Sequence, residues 1–223
     1  MSDAFTLRRE HLLPENAAAA AELFKRAGLV VTTPEFRAAS LAATLERVGP
    51  GEDVWVFGYG SLMWNPAFRH AERVAGRVPG WHRRFCLWNT FGRGTPDKPG
   101  LMLALERGGS CAGVGFRVPA AEVRPELALL WNREMLSGSY LPRWVRLATP
   151  ERTVDAVTFV ANRAHERYAG RLPPERIAEL LARAAGPLGA SREYLEQTVA
   201  ALERDGVRDG EMHALLRSVQ ALP

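Results

Sequence analysis

The sequence predicts an α+β protein built on a small mixed β-barrel with peripheral helices. Between Val54 and about Asn162 the chain reads as short β-branched and aromatic strands, broken by Gly and Pro at near-regular spacing, as a closed or strongly curved sheet requires. Ala- and Leu-rich stretches with helical spacing precede and follow that region, and one further helical stretch, "PAAEVRPELALLWNREML", interrupts it.

Two helices are expected between Pro14 and Val48. "PENAAAAAELFKRAGL" opens on a proline, which suits a first helical turn, and carries Gly28 where a helix would stop; "TPEFRAASLAATLERVG" repeats the plan. "GPGED", Gly49 to Asp53, separates that segment from the rest, so the expected organisation is an N-terminal helical extension over 1–53 and a main domain over 54–223. The expected strands are "VWVFGYG", "RVAGRVPGW", "RRFCLWNT", "GLMLALERGG", "CAGVGFRVP", "WVRLATP" and "TVDAVTFVAN". The final segment, Pro173 to Gln220, is expected to be helical again. Ser191 is followed three residues later by Tyr194 rather than Glu or Gln, an incomplete capping box that leaves this helix start loosely defined.

A chain of 223 residues with 47% hydrophobic content can bury a sizeable core in one domain. Its two cysteines, Cys86 and Cys111, are too few for a disulfide framework and lie outside any C-x-x-C or Cys/His ligand spacing, which points to a reducing compartment. The N-terminus lacks the basic-then-apolar order of a signal peptide, and no run of ~20 apolar residues occurs. A cytoplasmic protein with no membrane partner is therefore expected. The net charge of +4, from 29 basic and 25 acidic residues, is too evenly spread to argue for nucleic acid but favours a small anionic substrate.

The stretch "VWVFGYGSLMW", Val54 to Trp64, interrupts a strong strand with Gly58, Tyr59, Gly60 and Ser61. It fails the dinucleotide pattern G-x-G-x-x-G, because Met63 holds the third position, and it fails the hydrolase elbow G-x-S-x-G at both flanks of Ser61. Two readings remain: a cradle of backbone N–H groups around an anion or oxyanion, or a β-bulge that bends a barrel strand. Glu134 follows Leu130 by four, which sets its carboxylate on or beside an apolar helix face. Such a carboxylate either has a raised pKa and can shuttle protons, or forms an ion pair with Arg133 or another arginine. In "FGRGTPDKPG", Arg93 between Gly92 and Gly94 offers a fork for a carboxylate or else is simply exposed. Cys86 lies in an apolar strand without a histidine partner and reads as core, and the histidines at 11, 70, 82, 165 and 213 show no ligand spacing.

Taken together, "VWVFGYGSLMWNPAF", "GWHRRFCLWNTFGRGTPDKPGLMLALERGGSCAGVGFRV", "LWNREMLSGSY" and "SREYLEQTVAALERDGVRD" resemble the ChaC family of glutathione-specific γ-glutamylcyclotransferases, in the family's order, from about Val54 to Asp209. The first fifty residues look like an extension found on longer bacterial members. The resemblance implies a γ-glutamylcyclotransferase-like barrel and the conversion of glutathione into 5-oxoproline and cysteinylglycine, with no cofactor or metal. It implies a substrate-binding motif of Val56, Phe57, Gly58, Tyr59, Gly60 and Ser61, extended to Leu62, and Glu134 as the catalytic residue. Arg93 and Tyr140 are the expected partners of the substrate's carboxylates. Many relatives carry Asp-His where this chain has Phe91 and Gly92, so no histidine role carries over there. Cyclisation of other γ-glutamyl amino acids or amines, and a non-enzymatic role in regulating cation transport, are the competing expectations.

Overall fold

The structure is a computed structural model that describes residues 8–26 and 28–223. Helix α1 (Pro14–Arg26) ends in a Schellman motif: Gly28 adopts φ +77°, its N–H bonds to Lys25 O at 2.9 Å, and the Leu29 N–H reaches back to Phe24 O at 3.1 Å. Helix α2 (Pro34–Leu45) is capped by the Thr33 hydroxyl, which accepts from Phe36 N, with Pro34 in the first turn where its missing N–H costs nothing.

Five strands close the barrel: β1 (Val54–Gly58), β2 (Glu72–Asn89), β3 (Gly100–Val118), β4 (Tyr140–Ala148) and β5 (Thr153–Ala161), in the order β1-β3-β2-β4-β5. β1 runs antiparallel to β3 and parallel to β5, and β3 meets β5 at Leu105 and Val160, so the barrel is mixed. The breaks expected between "RVAGRVPGW" and "RRFCLWNT", and between "GLMLALERGG" and "CAGVGFRVP", are absent. Each pair is one long strand, because Gly80 opposes Gly108 and Gly109 in a bulge between the pairs Pro79–Ser110 and Trp81–Arg107. These glycines bend the ribbon without ending it.

The interrupting helix is α3 (Val123–Glu134), and the chain is already in β4 by Tyr140. Leu127, Leu130 and Trp131 are fully buried against the barrel, with Trp131 edge-on to Phe159 of β5 at 5.1 Å. Burial of such side chains stabilises by about 1.5–3 kcal/mol each, and it sets the orientation of the last turn of α3. α2 packs on α3 from outside.

The C-terminal part comprises α4 (Pro174–Arg183), a small hairpin of β6 (Ala185–Gly186) and β7 (Gly189–Ala190), α5 (Ser191–Arg204) and α6 (Gly210–Gln220). The hairpin was not expected. α5 does begin at Ser191, but the Ser191 hydroxyl donates to Arg93 O at 2.7 Å, and Glu193 accepts from the Ala190 N–H. Among the described residues no helix is long and apolar enough to cross a membrane.

Candidate active site

At the end of β1 the chain turns through Tyr59 and Gly60 into a short 3-10 turn, Ser61–Met63. Tyr59 O accepts from the buried Arg83 Nη1 at 2.5 Å, and Gly60 O accepts from Met63 N at 2.9 Å. In a planar trans peptide the N–H points opposite the carbonyl, so both bonds turn the Gly60 and Ser61 N–H groups the other way. There a narrow recess is lined by Tyr59, Gly60, Ser61, Leu103 and Phe159, and by Glu134, Tyr140 and Tyr194. The Ser61 N–H meets the Tyr194 hydroxyl. A Cβ at Gly60 would lie 2.9 Å from Tyr194 Oη, so glycine is needed here for close approach and not for a positive φ. The turn follows the end of the strand at Gly58 and is not a bulge within it.

Glu134 is the last residue of α3, and its carboxyl lies where the recess opens into an outer cavity of about 470 Å³. That volume is within the usual range for a small-molecule site. Glu134 shows both a raised pKa and an arginine neighbour. Burial raises its pKa against the opposing pull of Arg133, whose Nε lies 3.0 Å from Oε1. The approach is off the N–H direction, so Oε1 is buried with an ion-pair neighbour and no hydrogen bond. Arg133 also donates to Ser61 Oγ at 2.8 Å and Asn65 O at 2.5 Å, fastening the acid to the cradle.

Two phenols face Glu134 across the recess. Tyr59 Oη donates to Phe159 O and Tyr140 Oη donates to Leu103 O, each at 2.7 Å. Burial lifts both pKa values well above the ordinary phenol value, so both stay neutral. With their hydrogens already donated to carbonyls, they offer the recess only lone pairs, which suit an ammonium group. Tyr140, expected to meet a substrate carboxylate, gives its hydrogen to Leu103 O here. Burial first, and the Glu134 charge next, push the Tyr194 pKa up to about 12.

Arg93 lines the outer cavity on a loop organised by Asn89, whose Oδ1 accepts from the backbone N–H groups of Phe91, Gly92 and Arg93. Its Nη1 bonds to Ala190 O at 2.7 Å. Arg167 lines the same cavity and anchors its Nε on Trp88 O at 2.8 Å. Burial lowers the pKa of both guanidiniums, but not enough to discharge an arginine. Asn89→Ala should leave buried N–H groups unpaired and cost about 1–3 kcal/mol, read as a lower denaturation midpoint with unchanged m.

The structure gathers Tyr59, Gly60, Ser61, Leu62, Glu134 and Tyr140 around the recess and Arg93 at the cavity beyond. Val56 and Phe57 are fully buried in β1 and line neither space; Gly58 packs closely on Leu62 and Phe116 and supports the turn from behind. Tyr194, Arg133, Asn89, Arg167 and Trp64 were not expected there as site residues. Trp64 lines the outer cavity and its buried Nε1 has no hydrogen-bond partner. Among the described residues no three His, Cys, Asp or Glu side chains gather as a metal site requires.

Residues 54–222 match the family described as ChaC-like protein. The chain is 47% identical over 189 residues to the glutathione-specific gamma-glutamylcyclotransferase of Escherichia coli K12, covering 84% of this chain and 82% of that one. It is 32% identical over 181 residues to glutathione-specific gamma-glutamylcyclotransferase 1 of Mus musculus, covering 78% and 81%. Among solved structures, a yeast γ-glutamyl cyclotransferase specific to glutathione superposes with a TM-score of 0.69 at 22% identity, over 76% of this chain and 98% of that one, which shows a shared fold. On the family match and the Escherichia coli relative, the chain belongs to the ChaC-like family.

Proposed function

We propose that this protein is a glutathione-specific γ-glutamylcyclotransferase in which Glu134 moves the protons. One observation carries the mechanism: a buried carboxyl with a hydrogen-bond-free oxygen stands beside a turn whose Gly60 N–H faces the recess and whose Ser61 N–H meets the Tyr194 hydroxyl. The γ-glutamyl α-ammonium sits among Glu134 and the lone pairs of Tyr59 and Tyr140. Arg93 and Arg167 attract the substrate's carboxylates.

Glu134, as carboxylate, takes one proton from the ammonium. The freed amine attacks the γ-carbonyl carbon of its own molecule, closing a five-membered ring, and the oxyanion faces the N–H groups of Gly60 and Ser61. Glu134 then passes that proton to the cysteinyl nitrogen as the C–N bond breaks. The ring nitrogen, still carrying two hydrogens after the attack, gives its surplus proton to the emptied carboxylate, which hands it on to the departing amine, and 5-oxoproline and cysteinylglycine leave. Holding the substrate bent supplies on the order of 7–11 kcal/mol of the barrier, and the proton relay contributes roughly 10²–10⁴-fold.

The test is 5-oxoproline release by the purified protein from glutathione and, in parallel, from γ-glutamyl-alanine. Glutathione should be preferred in kcat/KM by on the order of 10²-fold. Equal rates would extend the activity to γ-glutamyl amino acids at large, and no release from either would sink the proposal.

A further inference from the structure

Helix α1 and the residues after it line the outer cavity through Phe24 and Leu29, although both precede the 54–222 region matched by the family. The Schellman motif at Gly28 brings these two together, since its bonds fold Leu29 back onto the turn of Phe24. Phe24 packs on Phe91 of the Arg93 loop, ring centroids 4.8 Å apart. On the opposite side Thr32 ties the segment down: its N–H donates to Leu136 O at 2.8 Å and its hydroxyl to Met135 O at 2.9 Å, just past Glu134. The buried Arg37 fixes this anchor, donating from Nη1 to Thr32 O and from Nε to Asn132 Oδ1 of α3. Phe24, Leu29 and Thr32 therefore link the Arg93 loop to the loop that follows the acid.

Neither Phe24 nor Leu29 lines the recess where the cradle and Glu134 meet. We infer that this bridge is the binding wall for the leaving dipeptide: Phe24 and Leu29 contact the cysteinylglycine half of glutathione and set the preference for a substrate with a peptide beyond the scissile bond. This rests on the proposed cyclotransferase reading. Phe24 and Leu29, both ahead of the matched region, are then specificity elements of the site.

The test uses the full chain carrying Phe24→Ala and Leu29→Ala together, with Phe24→Leu as the conservative variant. The double variant should raise KM for glutathione roughly tenfold, the usual worth of small apolar contacts, with kcat close to the parent. Inhibition by cysteinylglycine should weaken in proportion while inhibition by 5-oxoproline stays as it was, and Phe24→Leu should restore most of the affinity. A merely structural role would move both product inhibition constants together or lower kcat, and that result overturns the wall, as does an unchanged KM. A parent protein that releases no 5-oxoproline from glutathione overturns the cyclotransferase reading and the wall with it; an active parent with an insensitive variant overturns the wall alone.

Discussion

Glu134→Gln is expected to lower kcat for 5-oxoproline release by about 10²–10⁴-fold and to leave glutathione binding, read by calorimetry, close to that of the parent. The amide keeps the shape of the side chain but accepts no proton from the attacking ammonium. Near-parental turnover would remove Glu134 from the chemistry. The pH dependence has a definite sign. Glu134 must be ionised to act, and burial raises its pKa, so kcat/KM should fall on the acid side at a pH above the ordinary Glu value of about 4.3.

The same shift makes a stability claim. A carboxyl whose folded pKa is raised holds its proton more tightly when folded, so the fold is favoured at acid pH. That contribution is lost as pH rises through the folded value. At neutral pH the buried charge is therefore a cost that the Arg133 neighbour does not fully offset. Glu134→Gln should raise Tm at pH 7, by about 2–4 °C for each kcal/mol relieved in a domain of this size, with a smaller gain at pH 4. An inactive yet more stable variant would mark the residue as one held for chemistry at the expense of the fold.

Gly60→Val is expected to lower kcat/KM by about 10²–10³-fold, the scale of losing one oxyanion donor. A Cβ at this position lies 2.9 Å from Tyr194 Oη, so either the phenol or the turn must move, and both border the recess. A cycle separates the causes. If crowding is responsible, Gly60→Ala should cost much less in a Tyr194→Phe background, where the hydroxyl is gone; equal losses in both backgrounds would assign the effect to the backbone of the turn itself. Full activity of Gly60→Val would show that the reaction does not use this cradle.

The parts of this site that are legible in the sequence are the local ones. Gly58-Tyr59-Gly60-Ser61 breaks a strand that composition alone would continue, and Glu134 stands one helical turn past Leu130 on a buried face. Tyr194 carries no such signal, since it reaches Ser61 only because α5 packs beside the turn. Arg167 meets the cavity after its Nε is fixed on a carbonyl far away in the chain. For Tyr140 the residue is legible and its hydrogen-bond partner is not, because only the closed barrel brings the Leu103 carbonyl to the phenol. The two long strands are hidden for a similar reason: Gly80 has the same letter whether it ends a strand or bulges one, and only pairing across to Gly108 and Gly109 decides.

Arg83 joins the two extremes of the main fold. Its guanidinium holds the Tyr59 carbonyl on one side and lies 2.9 Å from Asp209 on the other, where that carboxylate also caps the last helix by accepting from Met212 N. Alterations near the carboxyl terminus are consequently transmitted to the spot where the substrate's carbonyl would rest. Without Asp209 an interior cation loses its counter-charge, at about 3–5 kcal/mol, and the peptide plane ahead of Gly60 is freer to swivel. A truncation that removes Asp209 and the last helix is therefore expected to disturb the turn at Tyr59, however remote it looks along the chain.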